Sequence, residues 1–71
     1  MTGLVIHLRR FREASGATQA DLAAALGVSR QTIISIEQGR YAPSLELALR
    51  MARHFGSPVE EMFQLDAAPT N

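Results

Sequence analysis

Four glycines, at 16, 27, 39 and 56, are each followed within five residues by a serine or threonine, and this punctuation cuts the chain into short helices. Glycine accepts the left-handed backbone that ends a helix, and a Ser or Thr hydroxyl caps the free amides that begin the next. The spacing predicts a first helix from about His7, carrying Leu8 and Phe11 and stopped at Ser15-Gly16. Thr18 caps a second over residues 19–26, with Leu22, Ala23 and Leu26 on one face and Asp21 placed for a capping box. Ser29 caps a third, from Arg30 to about Gln38, with Ile33 and Ile36 inward and Gly39 as its stop. Residues 40–43 form a loop, because Pro43 biases Ala42 away from helix. Ser44 caps a fourth helix, whose apolar face reads Leu45, Leu47, Ala48, Met51, Ala52 and Phe55. Ser57-Pro58-Val59-Glu60 reads as a capping serine, a proline at the first helical position and a box-closing glutamate, starting a fifth helix that ends at Met62 or Phe63. Leu4-Val5-Ile6 is either a short strand or a helix start, Phe63-Gln64-Leu65 is extended, and residues 67–71 are a loose tail.

A chain of 71 residues has room for one domain, here residues 1–66, and its small core leaves a thin margin of stability. With no cysteine, a disulfide framework and a thiolate zinc site are both excluded. His7 and His54 are too far apart in sequence to suggest a metal pair, so no metal and no cofactor is expected. Oligomerisation is the remaining support for so small a scaffold, and a homodimer is its simplest form. No apolar stretch approaches a membrane span and no signal peptide is present, which points to the cytoplasm. The net charge is zero but unevenly spread. Residues 1–40 carry Arg9, Arg10, Arg12, Arg30 and Arg40 against Glu13, Asp21 and Glu37, a net +2. Residues 41–71 carry Arg50 and Arg53 against Glu46, Glu60, Glu61 and Asp66, a net −2. Every cation is arginine, whose planar fork suits phosphate and guanine.

The second and third helices are joined by Gly27-Val28-Ser29 alone, the pattern of a helix-turn-helix whose second helix enters the major groove. Opposite Ile33, Ile36 and Glu37, the third helix presents Gln31, Ile34, Ser35 and Gln38. Its N-terminal residues are the ones that reach base edges, which favours Ser29, Arg30, Gln31 and Ser35. Gln31 can bond adenine at two positions, and Arg30 can fork onto guanine or bind phosphate instead. Ile34 either touches a thymine methyl or packs on a neighbouring turn. Phosphate contacts are expected from Gln19 at the start of the second helix, and from Gln38, Arg40, Tyr41 and Ser44. The alternative for Arg40 and Tyr41 is a plain loop, with the ring packed on the third helix.

The segments Thr18-Gln19-Ala20-Asp21-Leu22-Ala23, Gly27-Val28-Ser29-Arg30-Gln31-Thr32-Ile33, Ile36-Glu37-Gln38-Gly39 and Pro43-Ser44-Leu45 stand in order over nearly the whole chain. Together they resemble the Cro and phage-repressor (XRE) family, in particular short regulators similar to cytolysin repressors, which Glu60-Glu61-Met62-Phe63-Gln64 also matches. The resemblance implies a five-helix, all-α fold like that of lambda repressor, with a small antiparallel pair formed by the N- and C-terminal segments. It also implies base contacts at Arg30, Gln31 and Ser35, and a structural ion pair between Arg12 and Glu37.

No nucleophile–base pair, glycine-rich phosphate loop or paired acids are visible, so no catalytic residue is named and no enzyme is expected. The reading is a sequence-specific regulator of transcription, a repressor, binding double-stranded DNA as a homodimer through Val59, Met62, Phe63 and Leu65, with no small-molecule ligand. The alternative is an antitoxin-like module whose main partner is a toxin, which the neutral charge and acidic C-terminal half favour.

Overall fold

The structure, a computed structural model, describes residues 3–66; the proposed tail lies outside that range. The elements run β1 (Leu4–Ile6), α1 (Leu8–Ser15), α2 (Gln19–Leu26), α3 (Arg30–Glu37), α4 (Leu45–Phe55), α5 (Val59–Met62) and β2 (Phe63–Leu65). Thr18 and Asp21 make a complete capping box on α2, each side chain bonding the other's main-chain amide at 3.0 Å. Ser29 and Ser44 cap α3 and α4 by accepting from the amides of Thr32 and Leu47. Gly27 closes α2 at φ +72°, a left-handed turn in which a side chain would be strained, and so lets α3 leave at an angle after two residues.

The core is one cluster: Leu8 from α1, Leu22, Ala23 and Leu26 from α2, Ile33 and Ile36 from α3, Leu47 and Met51 from α4, and Met62 from α5. Ile6, Phe11, Val28, Ala52, Phe55 and Phe63 pack around it. Burying each large aliphatic side chain contributes about 1.5–3 kcal/mol. β1 and β2 pair antiparallel, Leu4 with Leu65, Val5 with Gln64 and Ile6 with Phe63. The ladder continues at both ends, His7 N–H donating to Met62 C=O and Asp66 N–H to Gly3 C=O. This resolves Leu4-Val5-Ile6 as a strand.

Three expectations are corrected. Ser57 does not cap α5: its N–H donates to Ala52 C=O, completing the Gly56 closure of α4, and Pro58 takes the capping position without a side-chain bond. Leu45 is 73% exposed and lies off the core face of α4, which is formed by Leu47, Ala48 and Met51 with Ala52 and Phe55 beside them. Met62 is 0% exposed in a single chain, so it belongs to the core and offers no surface to a second copy.

Candidate nucleic-acid interface

α2 and α3 pack through Leu22, Ala23 and Leu26 against Ile33 and Ile36, which turns the opposite side of α3 outward. On that side Ser29, Gln31, Thr32 and Ser35 line one open groove with Arg40 and Tyr41 from the following loop. Five of the six were anticipated as DNA contacts; Thr32 was not. Its hydroxyl lies 2.9 Å from that of Ser29, a local link that the serine–threonine spacing of three permits. Gln31 donates through Nε2 to Ser35 Oγ at 3.3 Å, which leaves its second N–H and its carbonyl free for a base edge. Arg30 is exposed but stands outside the groove lining. Among the described residues neither Arg30 nor Arg40 is held in an ion pair, so both guanidinium groups are available to an anion. Ile34 is half-buried.

A second cleft borders the first helix of the pair and is lined by Arg9, Arg12, Ala17, Thr18, Gln19, Glu37 and Gln38. It brings Gln19 and Gln38 together, while Ser44 is exposed at the head of α4 and lines neither cleft. Arg12 forks onto Glu37, Nε donating to Oε2 at 2.6 Å and Nη2 to Oε1 at 3.1 Å. The two side chains are 11% and 4% exposed. Burial works to raise the Glu37 carboxyl, but hydrogen bonds from Arg12 and Gln19, with the Arg12 charge, hold it below the usual carboxylate range. The same pairing holds the Arg12 guanidinium above its ordinary value, against the opposing cost of burial. Arg9, which pairs with Glu13 on exposed surface at 3.0 Å, joins this cleft; its position one turn before Arg12 was its only sequence signal.

At the far end of the molecule, Val59 and Phe63 are half-buried and Leu65 is 73% exposed. Among the described residues no group of histidine, cysteine, aspartate or glutamate is arranged to hold a metal, and no helix is long and apolar enough to cross a membrane.

The geometry agrees with what the chain is similar to. The sequence profile of a helix-turn-helix domain matches residues 4–65. An uncharacterized HTH-type transcriptional regulator of Methanocaldococcus jannaschii is 54% identical over 56 residues, 79% of this chain and 85% of that protein. One from Methanothermobacter thermautotrophicus is 52% identical over 60 residues, covering 83% and 87%. Among solved structures, the restriction-modification controller protein C.AhdI from Aeromonas hydrophila superposes with a TM-score of 0.71 at 31% identity, covering 78% of this chain and 83% of that one. The likeness to C.AhdI extends to the helical fold. The chain belongs to the helix-turn-helix family of DNA-binding transcriptional regulators, a family of non-enzymatic proteins.

Proposed function

We propose that this regulator reads a pseudo-palindromic operator as a homodimer, with α3 in the major groove, and represses by occupying the site. The observation that carries the reading is the groove in which Ser29, Gln31 and Ser35 sit with Arg40 and Tyr41, on the side of α3 turned away from Ile33 and Ile36. Ser29, Arg30, Gln31 and Ser35 face the bases; Gln19, Gln38, Arg40, Tyr41 and Ser44 hold phosphates. Two-fold symmetry puts half-sites about one helical turn, ~34–36 Å, apart. The second copy meets Val59, Phe63 and Leu65, where Leu4 extends the same exposed apolar end. The paired terminal strands and Glu60-Glu61-Met62-Phe63-Gln64 support a closer kinship with cytolysin repressors within the family.

In vitro site selection with wild type and Gln31→Ala tests the base-reading assignment. The variant is expected to stay folded and to relax preference at one position, a discrimination of about 1–3 kcal/mol for a good forked contact. Unchanged selectivity would remove α3 from the role given to it. A second reading, a module bound to a toxin-like protein, is favoured by one observation: Leu45 and Leu49 stand exposed on α4, at 73% and 54%. Co-expression with the product of a neighbouring reading frame, followed by size-exclusion chromatography, separates the two.

A further inference from the structure

Glu37 stands at the meeting point of three helices and serves more than one of them. Its Oε1 accepts from Arg12 Nη2 on α1 and from Gln19 Nε2 on α2, both at 3.1 Å. Arg12 in turn ties down the α1–α2 connection, Nη1 donating to Ala17 C=O at 3.0 Å. Gln19 is the first residue of α2 and lines the open cleft, whereas the carboxylate behind it is 4% exposed. Holding one Nε2–H inward fixes which way the Gln19 amide faces: the second N–H remains to donate, and only a donor can meet a phosphate oxygen. The Thr18 hydroxyl is spent on Asp21 N–H, so among the described residues no acceptor meets the main-chain amides of Gln19 and Ala20 beside it.

This arrangement carries an electrostatic problem. A buried carboxylate one hydrogen bond behind a phosphate contact repels the phosphate, and burial gives it little screening. Arg12 removes that repulsion by cancelling the charge on the spot. We propose that Arg12 and Glu37 are positioning residues for DNA binding: Glu37 orients the Gln19 amide toward a backbone phosphate, and Arg12 neutralises the carboxylate so that the phosphate can approach. The inference rests on the reading that α2 and α3 face DNA, and gives the ion pair a role beyond joining helices.

The charged groups facing Glu37 are Arg12 and Arg9 on α1, with Glu13 beside them; from α2 it meets the neutral Gln19. His7 lies against Gln64 and His54 against Phe55, away from this junction. Fluorescence-anisotropy titration of a selected operator tests the proposal with wild type, Arg12→Met, Glu37→Gln and the double variant Arg12→Met/Glu37→Gln, each first shown folded by circular dichroism. Arg12→Met leaves the carboxylate bare and is expected to lose at least about tenfold in affinity at low salt. The double variant, which keeps an acceptor for Gln19 but no charge, is expected to recover most of that loss. Arg12→Met should also bind more tightly as pH is lowered from about 8 to about 6, since an unpaired buried carboxyl takes up a proton more readily. Wild type and the double variant carry the same histidines and should show no such gain. If Arg12→Met unfolds, Glu37→Gln alone decides: leaving Arg12 unneutralised, it should raise affinity on all sequences and steepen the salt dependence. Folded Arg12→Met binding like wild type at both pH values, or Glu37→Gln with unchanged affinity and salt slope, would overturn the proposal. Absence of selective binding by wild type would overturn the DNA-facing assignment of α2 and α3 instead.

Discussion

The junction of α1, α2 and α3 and the opposite end, where α5 meets β1 and β2, are held by different physics. At the first, charge is buried and fully partnered: Arg12, Glu37 and Gln19 satisfy one another, and no buried side-chain polar atom among the described residues lacks a partner. At the second there is no ion pair among the described residues, and Leu4, Val5 and Leu65 are left exposed on a two-stranded ladder. A polar lock fixes geometry at the cost of intolerance to change, because removing one partner strands the other. An apolar surface tolerates change but is incomplete in water. The two ends accordingly suit different tasks, the locked one setting the angle between α2 and α3 and the open one offering the apolar surface on which the proposed homodimer rests.

The largest expected effect is at the lock. Glu37→Ala strands Arg12 and should cost about 3–5 kcal/mol in urea denaturation, a large share of the stability of so small a domain. Ile36→Ala, at a fully buried core position, should cost about 2–5 kcal/mol by the same measurement, through a cavity with no charge left unpaired. Comparing the two in acid sharpens the contrast. The Glu37 carboxyl titrates lower when folded than when unfolded, so its contribution is complete above about pH 4.3 and is lost as pH falls through its folded value. Asp21 acts in the same direction, held low first by the Thr18 main-chain amide and then by the Thr18 hydroxyl, against a slight effect of burial. An acid melt of Glu37→Gln should therefore be shallower than that of wild type, and that of Ile36→Ala should be parallel to it. Gly27→Ala forces a Cβ into left-handed backbone and should cost about 1–2 kcal/mol, seen as a lower thermal midpoint. Leu65→Ser should change the stability of one chain by less than about 0.5 kcal/mol. Sedimentation equilibrium should nonetheless show weaker self-association, and no change there would break the comparison at its open end.

Signals confined to neighbouring residues were legible in the sequence. Gly27, Ser29 and the Ile33–Ile36 spacing were sufficient to place α2 and α3, because capping and periodicity act within one turn. The Gln19–Glu37 bond was not legible, since it links side chains 18 residues apart and follows no repeat. Arg12 and Glu37 were paired only through resemblance to a family; nothing in their separation of 25 residues indicates contact. Leu45 was misassigned because an apolar residue in the first turn satisfies a helical pattern whether or not the core extends that far. Ser57 was misassigned because α4 and α5 lie so close that one residue is claimed by both, and the closing turn of α4 took it. Met62 was placed at the dimer surface because a short helix has too few residues to reveal which side faces in. Gln31 and Ser35 were found by their offset from Ile33 and Ile36, which leaves Thr32, between the two faces, easy to miss.

The bond from Asp66 to Gly3 has a topological consequence. Residues near the two termini are hydrogen-bonded neighbours, so the described chain is nearly a ring, closed by three strand pairs instead of a peptide link. Forming those pairs closes a loop of almost the full described length, and the entropy cost of closing a loop grows with its length. A circular permutant, joined across Gly3 and Asp66 and opened in the loop over residues 40–43, would make that closure covalent from the outset. It would keep the helical order from α4 through β1 to α3, and it should fold faster than the natural connectivity.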